Sequence, residues 1–196
     1  MTTLTKKEKE ALLIVFKDYT TFYNANSISK VLSISHVGAQ KIFKRLLREN
    51  LVVSKTIGKS IVYKLNFNEP YVGQFISFLL ADEANNSKRW KEEFKELFKK
   101  NRIILLFGSP IKDYAHARDI DLMVVLENKD VAEVNEVLKK KEEILPKKLH
   151  VIKLDYYDLL DNLKKKDTAF VDIIKNAIIL HGQDKYVGAL KNVSII

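Results

Sequence analysis

Two aspartates one residue apart, Asp119 and Asp121, head an otherwise apolar run, Asp119-Ile120-Asp121-Leu122-Met123-Val124-Val125-Leu126. A β-strand alternates its side chains between two faces, so both carboxylates project from one face, about 7 Å apart along the chain. Placed this way they repel each other, and both suffer from burial. A divalent cation held between them removes that cost, and oxygen ligands of this kind suit Mg2+ or Mn2+. Upstream, the apolar run Ile103–Phe107 ends at Gly108-Ser109. Glycine lets the backbone approach a ligand closely, and Ser109 offers a hydroxyl and an amide to a phosphate at the start of a short helix. A phosphate cradle beside a two-carboxylate metal site suits nucleotidyl transfer, with metal neutralising a triphosphate and stabilising in-line attack on its α-phosphorus. The plainer alternative is that the two aspartates only cap a strand.

These residues need elements to position them. Nine residues, PIKDYAHAR, separate the Gly-Ser pair from the second strand. A helix over 130–145 (DVAEVNEVLKKKEEIL) is expected to cover the sheet, and a later strand is expected over 149–154, with Asp155 at its far end. Before the first strand, SKRWKEEFKELFKK predicts one amphipathic helix whose Trp90, Phe94, Leu97 and Phe98 form a packing stripe. Asp158, Asp161 and Lys164 to Lys166 read as a solvated helix surface, and His116 and His181 lack a ligand-spaced partner. The sequence has no Walker A loop, no GxGxxG and no spacing that supports a serine–histidine–acid triad.

The 196 residues contain no cysteine, which excludes disulfides, thiolate catalysis and cysteine–zinc sites. No apolar run approaches the roughly 20 residues that span a bilayer, and the start, MTTLTKKEKEALLIVF, is too interrupted by charge to read as a signal peptide. The expectation is a soluble, cytoplasmic protein without a membrane partner. Charge is unevenly placed. Residues 1–67 hold 12 Lys or Arg against 4 Asp or Glu, residues 68–196 hold 22 against 21, and the net +9 is thus concentrated in the first third. A basic lobe joined to a neutral one suggests a polyanion-binding module attached to something else.

That basic third predicts a helix from Thr5 to about Tyr19, a short helix over 27–32, and a third helix capped by Ser35. In the third, Ala39, Ile42, Phe43 and Leu46 face inward, and His36, Gln40, Lys41, Lys44 and Arg48 face outward. Two β-rich runs, 51–56 and 60–65, flank Gly58-Lys59 as a hairpin turn. Asn68-Glu69-Pro70 ends the second run, and a helix over 71–84 follows.

SISHVGAQKIFKRLLRENLV followed by IGKSIVYKLN resembles a winged helix-turn-helix of the archaeal and bacterial regulator type. That resemblance implies duplex DNA as partner, with His36, Gln40 and Lys41 toward base edges and Lys44 and Lys59 toward phosphate. Winged helices often bind palindromes as dimers, so a homodimer is a further implied partner. LFGS with a downstream DIDL, and the terminal IIKNAIILHGQDKY, resemble the minimal nucleotidyltransferases of the polymerase-beta-like superfamily over about residues 88–190. The resemblance implies that Gly108 and Ser109 contact the phosphates of an NTP and that Asp119 and Asp121 hold metal. Pro110 and Arg118 depart from the family's usual turn, which has small residues and a serine before the DID. Active members also carry a third carboxylate on a later strand, and that slot falls here on His150, a candidate base or ligand.

The expected fold is therefore α/β (α+β): a winged helix-turn-helix (1–67), a helical connector (68–87), and a small nucleotidyltransferase-like domain (88–196) with a mixed β-sheet flanked by helices. The expected function is Mg2+-dependent transfer of a nucleoside monophosphate from NTP to a hydroxyl, by a protein that also binds DNA. Some relatives act as antitoxins that modify a helical toxin protein, which adds such a toxin as a candidate partner. Two other readings stay open: a DNA-binding regulator whose transferase domain only senses nucleotide, and an interaction scaffold.

Overall fold

The computed structural model describes residues 3–193. The chain divides into two compact units, Met1–Leu79 and Leu80–Ile196. In the first, α1 (Lys6–Lys17), α2 (Ala25–Leu32) and α3 (His36–Arg48) precede an antiparallel hairpin of β1 (Val52–Ile57) and β2 (Ser60–Leu65). Side chains cap all three helices. Thr5 and Glu8 form a reciprocal box on α1, Asn24 and Ser27 do so on α2, and Ser35 accepts from the Gly38 amide on α3. The box on α2 corrects the expected start: Ser27 is the third residue of the first turn, and Asn24 is the cap. Gly58, at φ +58°, closes the two-residue hairpin turn, with Ile57 paired to Ser60.

The core of this unit takes Leu12, Val15 and Phe16 from α1, Ile28 from α2 and Ala39, Phe43 and Leu46 from α3. Ile42 is only half-buried, not fully inward as expected. Phe43 stacks on Tyr63 at 3.8 Å between ring centroids, which fixes α3 against the hairpin. Arg45 pairs with Glu8 at 3.1 Å, so one cation of α3 is committed to structure. The division between units falls within α4 (Pro70–Asn85).

The second unit continues with α5 (Lys88–Phe94), β3 (Ile103–Phe107), α6 (Ser109–Lys112), β4 (Asp119–Val125), α7 (Val131–Ile144) and β5 (Lys148–Leu154). It ends with α8 (Tyr156–Lys165), α9 (Thr168–Asn176), β6 (Ile178–His181) and α10 (Gln183–Val193). Its mixed sheet has the order β5-β4-β3-β6, with β4 and β5 parallel and the other pairs antiparallel. On one face Ile104, Leu106, Ile120, Leu122, Val124 and Leu149 join Trp90 and Phe94 of α5 and Val134 and Leu138 of α7 in a single core. Leu105 and Met123, of opposite parity, are equally buried, and α8, α9 and α10 pack toward the sheet. Cover on both faces explains why β3 and β4 read as continuous apolar runs.

The expected helix over 87–100 stops at Phe94 and tightens into a 3-10 turn, Lys95–Leu97. The tighter turn still buries Leu97 beside Phe94, so the packing stripe survives the change of helix type. Arg102, fully buried before β3, pairs with Glu133 of α7 at 3.1 Å. Among the described residues no helix is long and apolar enough to cross a membrane.

Phe43→Ala should remove the stack that holds α3 to the hairpin and destabilise by about 3–5 kcal/mol, as for other fully buried aromatics. Denaturant unfolding of the full chain measures this, and unchanged stability would contradict the packing described.

Candidate functional site

The sheet register builds the site. Phe107 on β3 pairs with Asp121 on β4, and Asp121 pairs with His150 on β5. The chain leaves β3 at Gly108, so Gly108, Asp121 and His150 lie abreast at one end of the sheet. Asp119, two residues earlier on β4, shares their face. Asp119, Asp121 and His150 each present a ligand atom, and these atoms lie within 4.8 Å of one another. His150 Nδ1 sits 3.2 Å from Asp119 Oδ2 and 3.6 Å from Asp121 Oδ1. Both carboxylates are partly buried, whereas the imidazole is 60% exposed.

Burial, and then the charge of Asp119, raise the Asp121 pKa above its ordinary value, with His150 opposing. The metal-free protein therefore holds Asp121 in an environment that disfavours its charge. A hard divalent cation fits this donor set, since two carboxylate oxygens face the same space and a cation relieves their repulsion. A third, imidazole donor is better matched to Mn2+ than to Mg2+.

Gly108 is locked to Asp121. Its φ of +79° and ψ of −159° belong to a region that is essentially glycine-only. A Cβ there would lie 2.2 Å from Asp121 Oδ2. Gly108 and Asp121, remote in sequence, are thus close neighbours. Ser109 opens α6 with its side chain exposed. With only four residues α6 is too short to offer much dipole, so phosphate binding at this turn would rest on local amides and the hydroxyl.

The turn before β4 is held from two sides. Asp113 accepts from the Ala115 amide at 3.0 Å and approaches His116 Nδ1 at 2.6 Å, and the hydrogen bonds from His116 hold its pKa down. Lys147, the residue before β5, donates to the carbonyls of Tyr114 at 2.6 Å, Ala115 at 3.3 Å, and Ala117. Its ammonium also lies 4.6 Å from the Tyr114 ring centroid, with Arg89 at 3.8 Å from the same ring. Sequence reading missed Lys147, because nothing in PKKL distinguishes one lysine from its neighbour; only the topology brings it to this turn.

Asp155 and His181 have structural partners. Asp155 lies five residues beyond His150 at the far end of β5, about 16 Å away by strand rise. Its carboxylate caps α8 by accepting from the Asp158 amide at 2.8 Å. His181 has a structural partner, the Lys99 carbonyl at 2.8 Å, and stacks on Phe98.

In the first unit, His36, Gln40, Lys41 and Lys44 are all exposed along α3, and Lys59 is exposed at the hairpin turn. His36, Gln40 and Lys59 line one polar groove of about 350 Å3 with Asn24 and Asn26. Lys41 and Lys44 lie outside that lining. Among the described residues none of the three lysines is ion-paired. The groove offers amide, imidazole and ammonium groups, the types that contact base edges and phosphates.

Comparison with known families adds one match. The family model described as Polymerase beta, Nucleotidyltransferase matches residues 92–186, and the match places this stretch with that nucleotidyltransferase superfamily. It spans Gly108, Ser109, Asp119, Asp121 and His150 and leaves the first unit outside. No curated protein and no solved structure matches the chain.

Gly108→Ala should cost about 1–3 kcal/mol in backbone strain and push the Asp121 carboxylate away, lowering both the unfolding midpoint and Mn2+ affinity. Unchanged Mn2+ binding would show that the glycine contact does not shape the metal site. Asp121→Asn should behave differently. Because the folded-state pKa is raised above the model-compound value of 3.8, the native state binds the extra proton. Metal-free stability therefore falls as pH rises from 3.8 through that folded value, and above it the full penalty applies. At neutral pH, Asp121→Asn should thus leave the metal-free unfolding midpoint unchanged or raised while abolishing its increase on adding Mn2+.

Proposed function

We propose that the second unit transfers a nucleoside monophosphate from an NTP to a hydroxyl acceptor, and that the first unit is a winged helix-turn-helix that binds duplex DNA. The observation that carries the first half is the contact of Gly108 with Asp121, beside Asp119 and His150, inside the segment matched by the nucleotidyltransferase family model. A divalent cation, when bound, supplies charge neutralisation for the triphosphate and for the charge that develops at the α-phosphorus. Asp119 and Asp121 hold it. The backbone after Gly108 and the Ser109 hydroxyl bind the outer phosphates. His150 accepts the proton of the acceptor hydroxyl as its oxygen bonds to the α-phosphorus. The bond from that phosphorus to the bridging oxygen then breaks, and pyrophosphate leaves.

The DNA half rests on the order of three helices and a hairpin, on the concentration of net charge in residues 1–67, and on the groove shared by His36, Gln40 and Lys59. A dimer on a palindromic site and a helical toxin protein as acceptor are part of the same proposal. A second reading, a DNA-binding regulator that senses nucleotide without transfer, is favoured by one observation: the third position of the site is an imidazole and not a carboxylate.

Incubation with labelled NTPs, Mg2+ or Mn2+ and candidate acceptors, including cell lysate, separates the two readings. Transfer of label to a macromolecule, abolished by Asp121→Asn, supports the enzyme; metal-dependent NTP binding without any transfer supports the sensor. On the DNA side, Lys44→Ala should weaken binding to all sequences alike and lower the salt-dependence slope by about one. Gln40→Ala should instead change sequence preference, as a base-contacting residue does. DNA binding that is independent of salt would remove the phosphate contacts on which this half depends.

A further inference from the structure

We propose that Lys147 is the positioning residue of the candidate metal site, and that it sets where Asp119 stands relative to His150. This inference rests on the reading of Asp119 and Asp121 as metal ligands with His150 beside them. Asp119 is the first residue of β4 and pairs in register with Lys148, the first residue of β5. At that end the ladder stops, and no further strand pairing fixes the chain before Asp119. The chain there is the turn 113–118. Lys147 reaches across from the start of β5 and donates to three of its carbonyls, those of Tyr114, Ala115 and Ala117. Ala117 lies two residues before Asp119, and Lys147 lies three residues before His150. One ammonium group therefore ties the strand that carries the imidazole to the turn that delivers the carboxylate.

The choice of residue follows from geometry. An ammonium has three protons that point in different directions, and here three carbonyls surround it. A planar guanidinium presents its donors in a fixed fork and fits convergent carbonyls less evenly. The stem is half-buried, and the Tyr114 ring at 4.6 Å adds a cation–π contact on another side. Arg89 also sits on that ring, at 3.8 Å, but makes no hydrogen bond to the turn among the described residues. Arg89 thus provides a control, because it shares the ring contact and lacks the carbonyl contacts. A bare ring contact would make the two cations equivalent, whereas a role in placing Asp119 makes only Lys147 matter.

The test uses the full chain and three variants, Lys147→Met, Lys147→Arg and Arg89→Met, with two readouts. The first is amide hydrogen exchange over residues 113–121, which needs no metal. The second is Mn2+ affinity, followed through the signal of free Mn2+. Lys147→Met should accelerate exchange in this segment while β3 and the rest of β4 keep wild-type protection. It should also weaken Mn2+ binding by about ten- to a hundredfold, the usual cost of losing a group that orients metal ligands. Lys147→Arg should recover part of both effects, and Arg89→Met should leave both at wild-type values. Wild-type exchange in Lys147→Met overturns the proposal, and so does wild-type Mn2+ affinity in that variant. Equal losses in Arg89→Met and Lys147→Met also overturn it, because the ring contact then accounts for the effect. A wild-type chain that binds no Mn2+ overturns the metal reading, and the exchange result then decides the placement of Asp119 by Lys147 alone.

Discussion

Two like charges forced onto one face of one strand are the constraint on which this end of the second unit depends. In water Asp119 and Asp121 would separate; on β4 the alternation of side chains keeps them together, and partial burial deprives them of the solvent that would screen their repulsion. The strand can hold them because it is anchored elsewhere. Ile120, Leu122 and Val124 are buried among α5 and α7, and hydrogen-bonded neighbours flank β4 on both sides. Moving the carboxylates apart would mean breaking the extended backbone of β4, and with it the pairing to β3 and β5. Core packing thus supplies the energy that keeps an unfavourable electrostatic arrangement in place, as expected for a functional site.

The same constraint gives Gly108 its meaning. The chain must turn sharply off β3 beside a carboxylate that cannot retreat, because Asp121 is fixed by its pairing with both Phe107 and His150. Only a residue without Cβ, in a backbone region other residues avoid, fits that space. The turn after β3 and the carboxylates of β4, remote in sequence, are thereby brought to the same end of the sheet.

Much of this was legible in the sequence. The alternation in Asp119-Ile120-Asp121 assigns a shared face, the apolar runs assign buried strands, and Gly108-Ser109 at a strand end assigns the turn. The outward face of α3 was equally readable, since His36, Gln40 and Lys44 recur every four residues opposite Ala39, Phe43 and Leu46. What failed to show are contacts made by topology alone. Lys147 is one lysine in a chain rich in them, and its partners are backbone carbonyls, which every residue has. Asn24 and Ser27 are both capping types, and only their reciprocal bonding shows that Asn24 is the cap of α2. The parallel pairing of β4 and β5 places Asp155 at the opposite end of the sheet from Asp119 and Asp121.

The position of His150 on an edge strand divides the site into a rigid and an adaptable half. β4 is internal, so the aspartates are held by ladders on both sides, whereas β5 is paired on one side only. An edge strand is free to shift without disrupting a second ladder, and the imidazole on it is 60% exposed while both carboxylates are partly covered. Whatever approaches from solvent on the β5 side meets the imidazole before it meets the aspartates. A third carboxylate in that place would add a negative charge to a pair that already repels and would deepen the need for metal. Imidazole adds none when neutral, and a favourable contact with both aspartates when protonated. An imidazole in that place therefore lets the three groups sit together, at 3.2 and 3.6 Å, where three carboxylates would drive one another apart.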